Sequence, residues 1–143
     1  MKRQEQVLFY QFRDMEKLQL ARKVLSRMGI VSKVIPVDDW TQKVGYLLGM
    51  KGFKAAEKPD ADDDFVFPHE VMVLQNIRNK RLDEVLLALR RGGVSKVQYK
   101  SVVTPFNTLW TLRRLCETMQ KEHAVMVQQQ EKEKQKTEQE QET

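Results

Sequence analysis

The sequence predicts an α+β domain, a ferredoxin-like duplicated βαβ sandwich with a long C-terminal helix. Two short runs, Val7–Phe12 and Val71–Asn76, are apolar almost throughout, as strands buried on both faces are. Each is followed by an amphipathic helix that stops at glycine and then by an alternating strand. The two halves also share residues at a constant spacing. A chain of 143 residues has room for one domain, placed at 1–127, with a polar tail over 128–143.

The first strand, Val7–Phe12, is aromatic and β-branched and bounded by charge. From Asp14 to Met28 apolar residues recur at steps of three and four (Met15, Leu18, Ala21, Val24/Leu25, Met28), which predicts a helix with Gly29 as its C-cap. Val31–Val37 alternates as a strand, and Pro36 confines it to an edge or to its own end. Asp38 or Asp39 caps a short helix from Trp40 to about Leu48, ended by Gly49. Lys51–Phe67 lacks periodicity, contains Pro59 and the acidic cluster Glu57–Asp64, and reads as an exposed loop. Val71–Asn76 is the third strand, Leu82–Arg91 a helix ended by Gly92-Gly93, and Val94–Val103 the fourth strand.

The repeat rests on the identical tetrapeptides Val31–Val34 and Val94–Val97, and on a spacing of 64 that matches Val7, Gln11, Leu18, Leu25 and Gly29 with Val71, Gln75, Leu82, Leu89 and Gly93. Trp40 and Trp110 stand in comparable places before the following helices. Two βαβ units in one small chain give a ferredoxin-like sheet with helices on one face and the two apolar strands central. The alternative is an α/β four-stranded, all-parallel doubly wound sheet. Thr104-Pro105 then starts the last helix, proline taking the first helical position. Leu109, Leu112, Cys116, Met119, His123 and Met126 form a heptad-like seam that suits a protein partner or a homodimer. The residues from Gln128 on have no apolar side chain to offset ordering entropy, so a frayed or disordered tail is expected.

The net charge is +5, but the segment 57–64 carries −4 and the tail −2; setting them aside leaves +11 on the rest. A basic body attracts anions or nucleic acid. The longest apolar runs fall far short of the roughly 20 residues that span a bilayer, and the first residues lack a signal-peptide h-region. With one cysteine, a reduced, cytoplasmic protein is expected, with no membrane association.

Reactive chemistry is sparse. Cys116 falls on the apolar seam as an inert thiol. His69 and His123 stand apart in the sequence, and no triad assembles around either. Asp60, Asp62, Asp63 and Asp64 lack the glycine and terminal glutamate of a calcium loop. No glycine-rich phosphate loop is present, Gly45 and Gly49 serving packing and termination. RNA binding on such a sheet needs exposed aromatics on the central strands; Phe9, Tyr10 and Phe12 are available on the first strand, but the third offers only Val, Met and Leu. The reading is of a non-enzyme without catalytic residues, cofactor or metal.

At Tyr46–Gly49 and at Val102–Trp110 the chain resembles a family of small bacterial proteins, common in Gram-positive anaerobes, known as a domain of unknown function, with Thr-Pro-x-Asn-x-x-Trp as its signature. The resemblance covers about Phe65–His123 well and the first fifty residues more loosely. It implies no activity, but it implies that Thr104, Pro105, Asn107 and Trp110 form one local unit. That unit is either structural or, with Trp40 added, a ligand or partner site, because a helix start attracts anions. The expected function is a binding or regulatory domain for a protein partner or a small anionic ligand; the alternative is a basic RNA-binding protein.

Overall fold

The computed structural model describes residues 4–141 apart from 61 and 64, with side chains as far as 126. The two apolar runs become β1 (Gln6–Tyr10) and β3 (Val71–Gln75), joined to β2 (Val31–Val34) and β4 (Tyr99–Val102) in the order β2-β1-β3-β4. Helices α1 (Met15–Arg27), α2 (Val44–Leu47), α3 (Asn79–Arg91) and α4 (Leu112–Gln141) complete a mixed α+β architecture around an open mixed sheet. β1 pairs parallel with β2 and β3 parallel with β4, while β1 and β3 run antiparallel, Leu8 opposite Val73.

This order is not ferredoxin-like. There each βαβ unit is split by a strand of the other; here each unit keeps its two strands adjacent, and the units meet first strand to first strand. The antiparallel centre equally rules out the all-parallel alternative. Both apolar strands are central, as their composition requires, and helices cover both faces rather than one. Val7, Phe9, Met72 and Leu74 face α1 and α3; Leu8, Tyr10, Val71 and Val73 face α2 and α4. Phe9, Tyr10 and Phe12 are all buried, so the sheet has no exposed aromatic platform on which RNA bases could stack.

The two halves share one plan, with an approximate twofold between β1 and β3. Helix α1 is capped by Asp14, whose carboxylate accepts from the Lys17 N–H at 3.2 Å. It ends with the Ile30 N–H donating to the Leu25 carbonyl, and α3 ends identically with Val94 to Leu89. Gly29 and Gly93 provide the left-handed residue at φ +75° and +86°, which an L side chain resists. Past each central strand Gln11 and Asn76 both adopt positive φ. The strand spacing is therefore 65, not 64: Val7 and Val71, matched by the 64 spacing, point to opposite faces, whereas Val7 and Met72 share one.

Other expectations also shift. Val94–Val97 is not a strand; it arches away from the sheet, and β4 starts at Tyr99, so its counterpart Val31–Val34 pairs four residues nearer its helix. The helix expected over Trp40–Leu48 divides into a 3₁₀ turn (Asp39–Thr41) and α2, separated by extended residues. A second 3₁₀ turn, Asn107–Leu109, precedes α4, so Thr104-Pro105 starts that turn rather than the last helix. Between the two turns Lys43 and Thr111 form an antiparallel bridge, with Val44 N–H to Trp110 carbonyl and Leu112 N–H to Gln42 carbonyl both at 2.9 Å. By this register Trp40 corresponds to Thr108 and Trp110 to Gln42, so the two tryptophans are not counterparts. The segment ahead of β3 is not wholly exposed, since Phe67 is buried and Phe65 packs on the core. A Cβ at Gly45 would strike the Phe53 ring. The expected polar tail falls where side chains lie outside the described residues.

Candidate ligand-binding site

The Thr104–Trp110 corner is closed by its own hydrogen bonds. Asn107, buried, accepts from the Thr104 N–H at 2.8 Å through Oδ1 and donates through Nδ2 to the Val102 carbonyl at 3.0 Å; its N–H donates to Thr104 Oγ1 at 3.1 Å. That reciprocal pair is a capping box in form, holding β4 against the second 3₁₀ turn. Thr104 and Pro105 are exposed around it. Helix α4 takes its cap from Thr111, whose Oγ1 accepts from the Arg114 N–H. Trp110 is half-buried beneath the Arg114 guanidinium, 4.6 Å from its ring. Trp40 is buried elsewhere on the same sheet face, 5.5 Å from Phe65 and 5.4 Å from the Arg113 guanidinium, a cation–π contact. The structure thus brings Thr104 and Asn107 together, with Pro105 between them, and gives the two tryptophans separate surroundings.

The two histidines, remote in sequence, converge on one ring. His69 lies 4.9 Å and His123 5.5 Å from Tyr99 between centroids, and His123 Nε2 is 2.6 Å from Gln98 Nε2. The spacing of single residues gave no sign of this meeting, which depends on β4 lying under α4. Cys116 is buried, and desolvation raises its thiol from 9.0 to about 12, far from a nucleophile's range. Of the seam, Leu112, Cys116 and Met119 are in the core, while Leu109 precedes the helix and is exposed, as is Met126. Among the described residues no cluster of three or more His, Cys, Asp or Glu is placed to hold a metal ion, and no helix is long and apolar enough to cross a membrane.

Several clefts open on the α1/α3 side. One, about 870 Å³, includes Arg78 and Arg81, but the Arg81 guanidinium is already engaged: it grips Glu5 at 2.7 and 2.8 Å and donates to the Met28 carbonyl. Its charge is compensated. Two others are counterparts in the two halves, each between helix and outer strand. In the first half, about 590 Å³, Arg22 crosses the cleft and its Nε donates to Ser32 Oγ at 3.1 Å.

In the second half the same place is chemically different. Leu86 stands where Arg22 does, Arg90 where Ser26 does and Lys100 where Ser32 does. The α3–β4 connection is four residues longer, Ser95–Gln98, and Ser95, Lys96 and Val97 of it line the opening. The result is a partly enclosed cavity of about 430 Å³, within the size range of small-molecule sites. Its floor is Met72, Leu86, Leu89, Val94 and Val97; its rim is Arg90, Lys96 and Lys100. The Lys100 ammonium donates to the Val97 carbonyl at 2.7 Å. Burial, and secondarily the Lys96 charge, lowers its pKa. Among the described residues none of the three cations is ion-paired with a carboxylate. Chain segment 78–100 as a whole has seven Lys or Arg against two Asp or Glu.

Comparison with known proteins bears on this same half. Residues 70–126 match a family model described as a domain of unknown function, DUF3783, a stretch that starts just before β3 and ends within α4. No curated protein and no solved structure matches the chain.

Proposed function

We propose that this chain is a non-enzymatic cytoplasmic binding domain that takes a small anionic ligand between α3 and β4. One observation supports it most: three cations without carboxylate partners among the described residues line one concave site, in the half that matches the family model. Clustered like charges repel one another, so an anion bound among them is stabilised. Titration with phosphate and with acetate, followed by amide NMR shifts, tests it. Saturable shifts at Arg90, Lys96 and Lys100 that weaken with salt are expected; their absence with both anions overturns the reading.

A second reading is association through α4, favoured by Val125 and Met126, which are more than half exposed where the helix leaves the sheet. Light scattering on the full chain and on a chain ending at Met119 decides it: a dimer lost on truncation supports it, and a monomer in both removes it. Nucleic acid is the other polyanion that the basic stretch 78–100 could attract, now through helix and loop rather than the sheet. A gel shift with RNA or DNA that does not weaken between low and physiological salt contradicts that mechanism.

A further inference from the structure

The cavity between α3 and β4 differs from a plain anion site in one respect, its floor. A phosphate or sulfate wants backbone N–H groups and several polar contacts, and here five apolar side chains lie beneath the cations instead. The counterpart cleft lacks that floor: its lining is mainly polar, and Arg22 reaches across it to bond to Ser32. We infer that the α3–β4 cavity binds an amphipathic carboxylate, its alkyl chain on Leu86, Leu89, Val94 and Val97 and its acid group on Lys100, with Arg90 and Lys96 at the rim.

The placement follows from the register. Met72 pairs with Lys100, so Lys100 leaves the sheet on the α3 side and its aliphatic stem lies along the apolar floor while its ammonium sits at the mouth. Its one hydrogen bond, to the Val97 carbonyl, leaves donors for a carboxylate, because an ammonium has three. Each methylene that the floor removes from water multiplies affinity roughly threefold to fourfold, and loss of a charge-assisted contact costs about tenfold. Tail and head thus contribute separable factors. This inference rests on the anion reading above and adds the tail to it.

Calorimetric titration of the full chain with decanoate, decanol and acetate, each below any micelle-forming concentration, tests it. Decanoate is expected to bind more tightly than either control. Lys100→Gln is expected to weaken decanoate about tenfold and leave decanol unchanged. Leu86→Arg, which installs the first half's residue, is expected to abolish decanoate binding while thermal melting confirms a folded chain. Acetate and decanoate binding equally well overturns the tail and leaves the anion reading standing. Decanol matching decanoate overturns the role of Lys100 and with it the carboxylate inference, while the phosphate titration decides the anion reading. Failure of all three ligands to bind the folded wild-type chain overturns the inference, while the phosphate titration independently reports on the anion reading.

Discussion

In the first βαβ half the helix presents Arg22 to the outer strand, which answers with Ser32; in the second, Leu86 and Lys100 occupy those places and four further residues lift the connection away from the sheet. One backbone plan carries an open polar cleft that its own arginine crosses and a more enclosed cavity with an apolar floor and a cationic rim. The lesson is that, on the α1/α3 side, few positions distinguish the two clefts. The central strands and the glycine-ended helices on which both clefts are built are alike.

Core truncation offers the largest way to test that contrast. Leu25 and Leu89 are counterparts at the helix ends, but Leu89 also borders the cavity. Leu25→Ala is expected to cost about 4 kcal/mol and Leu89→Ala about 2 kcal/mol, since existing free space means fewer contacts to lose. Equal costs by urea denaturation would show the cavity to be energetically closed. Next come the residues that open the 3₁₀ turns. Asn107→Ala removes two side-chain hydrogen bonds at a buried site, leaving the Thr104 N–H and the Val102 carbonyl without that partner, and is expected to cost about 2 kcal/mol. Its counterpart Asp39 has a carboxyl pushed upward by burial and then by Asp38, so Asp39→Asn is expected to leave the melting temperature unchanged or slightly higher.

Gly29→Ala and Gly93→Ala should each cost about 1 kcal/mol, from positive φ alone, because an added Cβ meets nothing within 4 Å at either site. Unequal values would mean that the helix ends are less alike than their hydrogen bonds. The smallest effect at neutral pH belongs to the α2/α4 side, with Cys116 and Tyr10. Burial raises Cys116 from 9.0 and Tyr10 from 10.0, both to about 12. Above pH 9 the unfolded chain releases these protons while the folded chain keeps them. Stability is therefore complete below that pH and falls progressively towards pH 12. Denaturation midpoints at about pH 8 and about pH 11 are expected to differ, and less so in Tyr10→Phe combined with Cys116→Val.

Much of this fold is legible from local pattern. The Asp14 cap, the α1 stripe, Gly29 and Gly93 are short-range features, and the buried positions of Val7–Tyr10 follow from composition. The strand order was not legible, because a run such as Val71–Gln75 pairs parallel or antiparallel with equal hydrophobic gain. The tetrapeptide Val94–Val97 reads as strand, yet it lies outside the sheet because β3 pairs with Tyr99–Val102 instead. The Thr-Pro-x-Asn-x-x-Trp unit was visible as residues, and its closure around Asn107 became visible only with the Val102 carbonyl beside it. Leu86, Lys96 and Lys100 carry no local signal in the sequence, where they read as one more helix leucine and two ordinary charges.

By itself, the sequence determined two apolar strands, two glycine-terminated helices, a basic body and a chain poor in reactive groups, because these depend on composition and on neighbours within a few residues. The tertiary structure decided that β1 and β3 meet antiparallel, that Tyr99 collects both histidines, and that Lys100 stands over an apolar floor beside Arg90. Those facts join residues far apart in the chain, and pairing across the sheet, rather than any local preference, sets which of them meet.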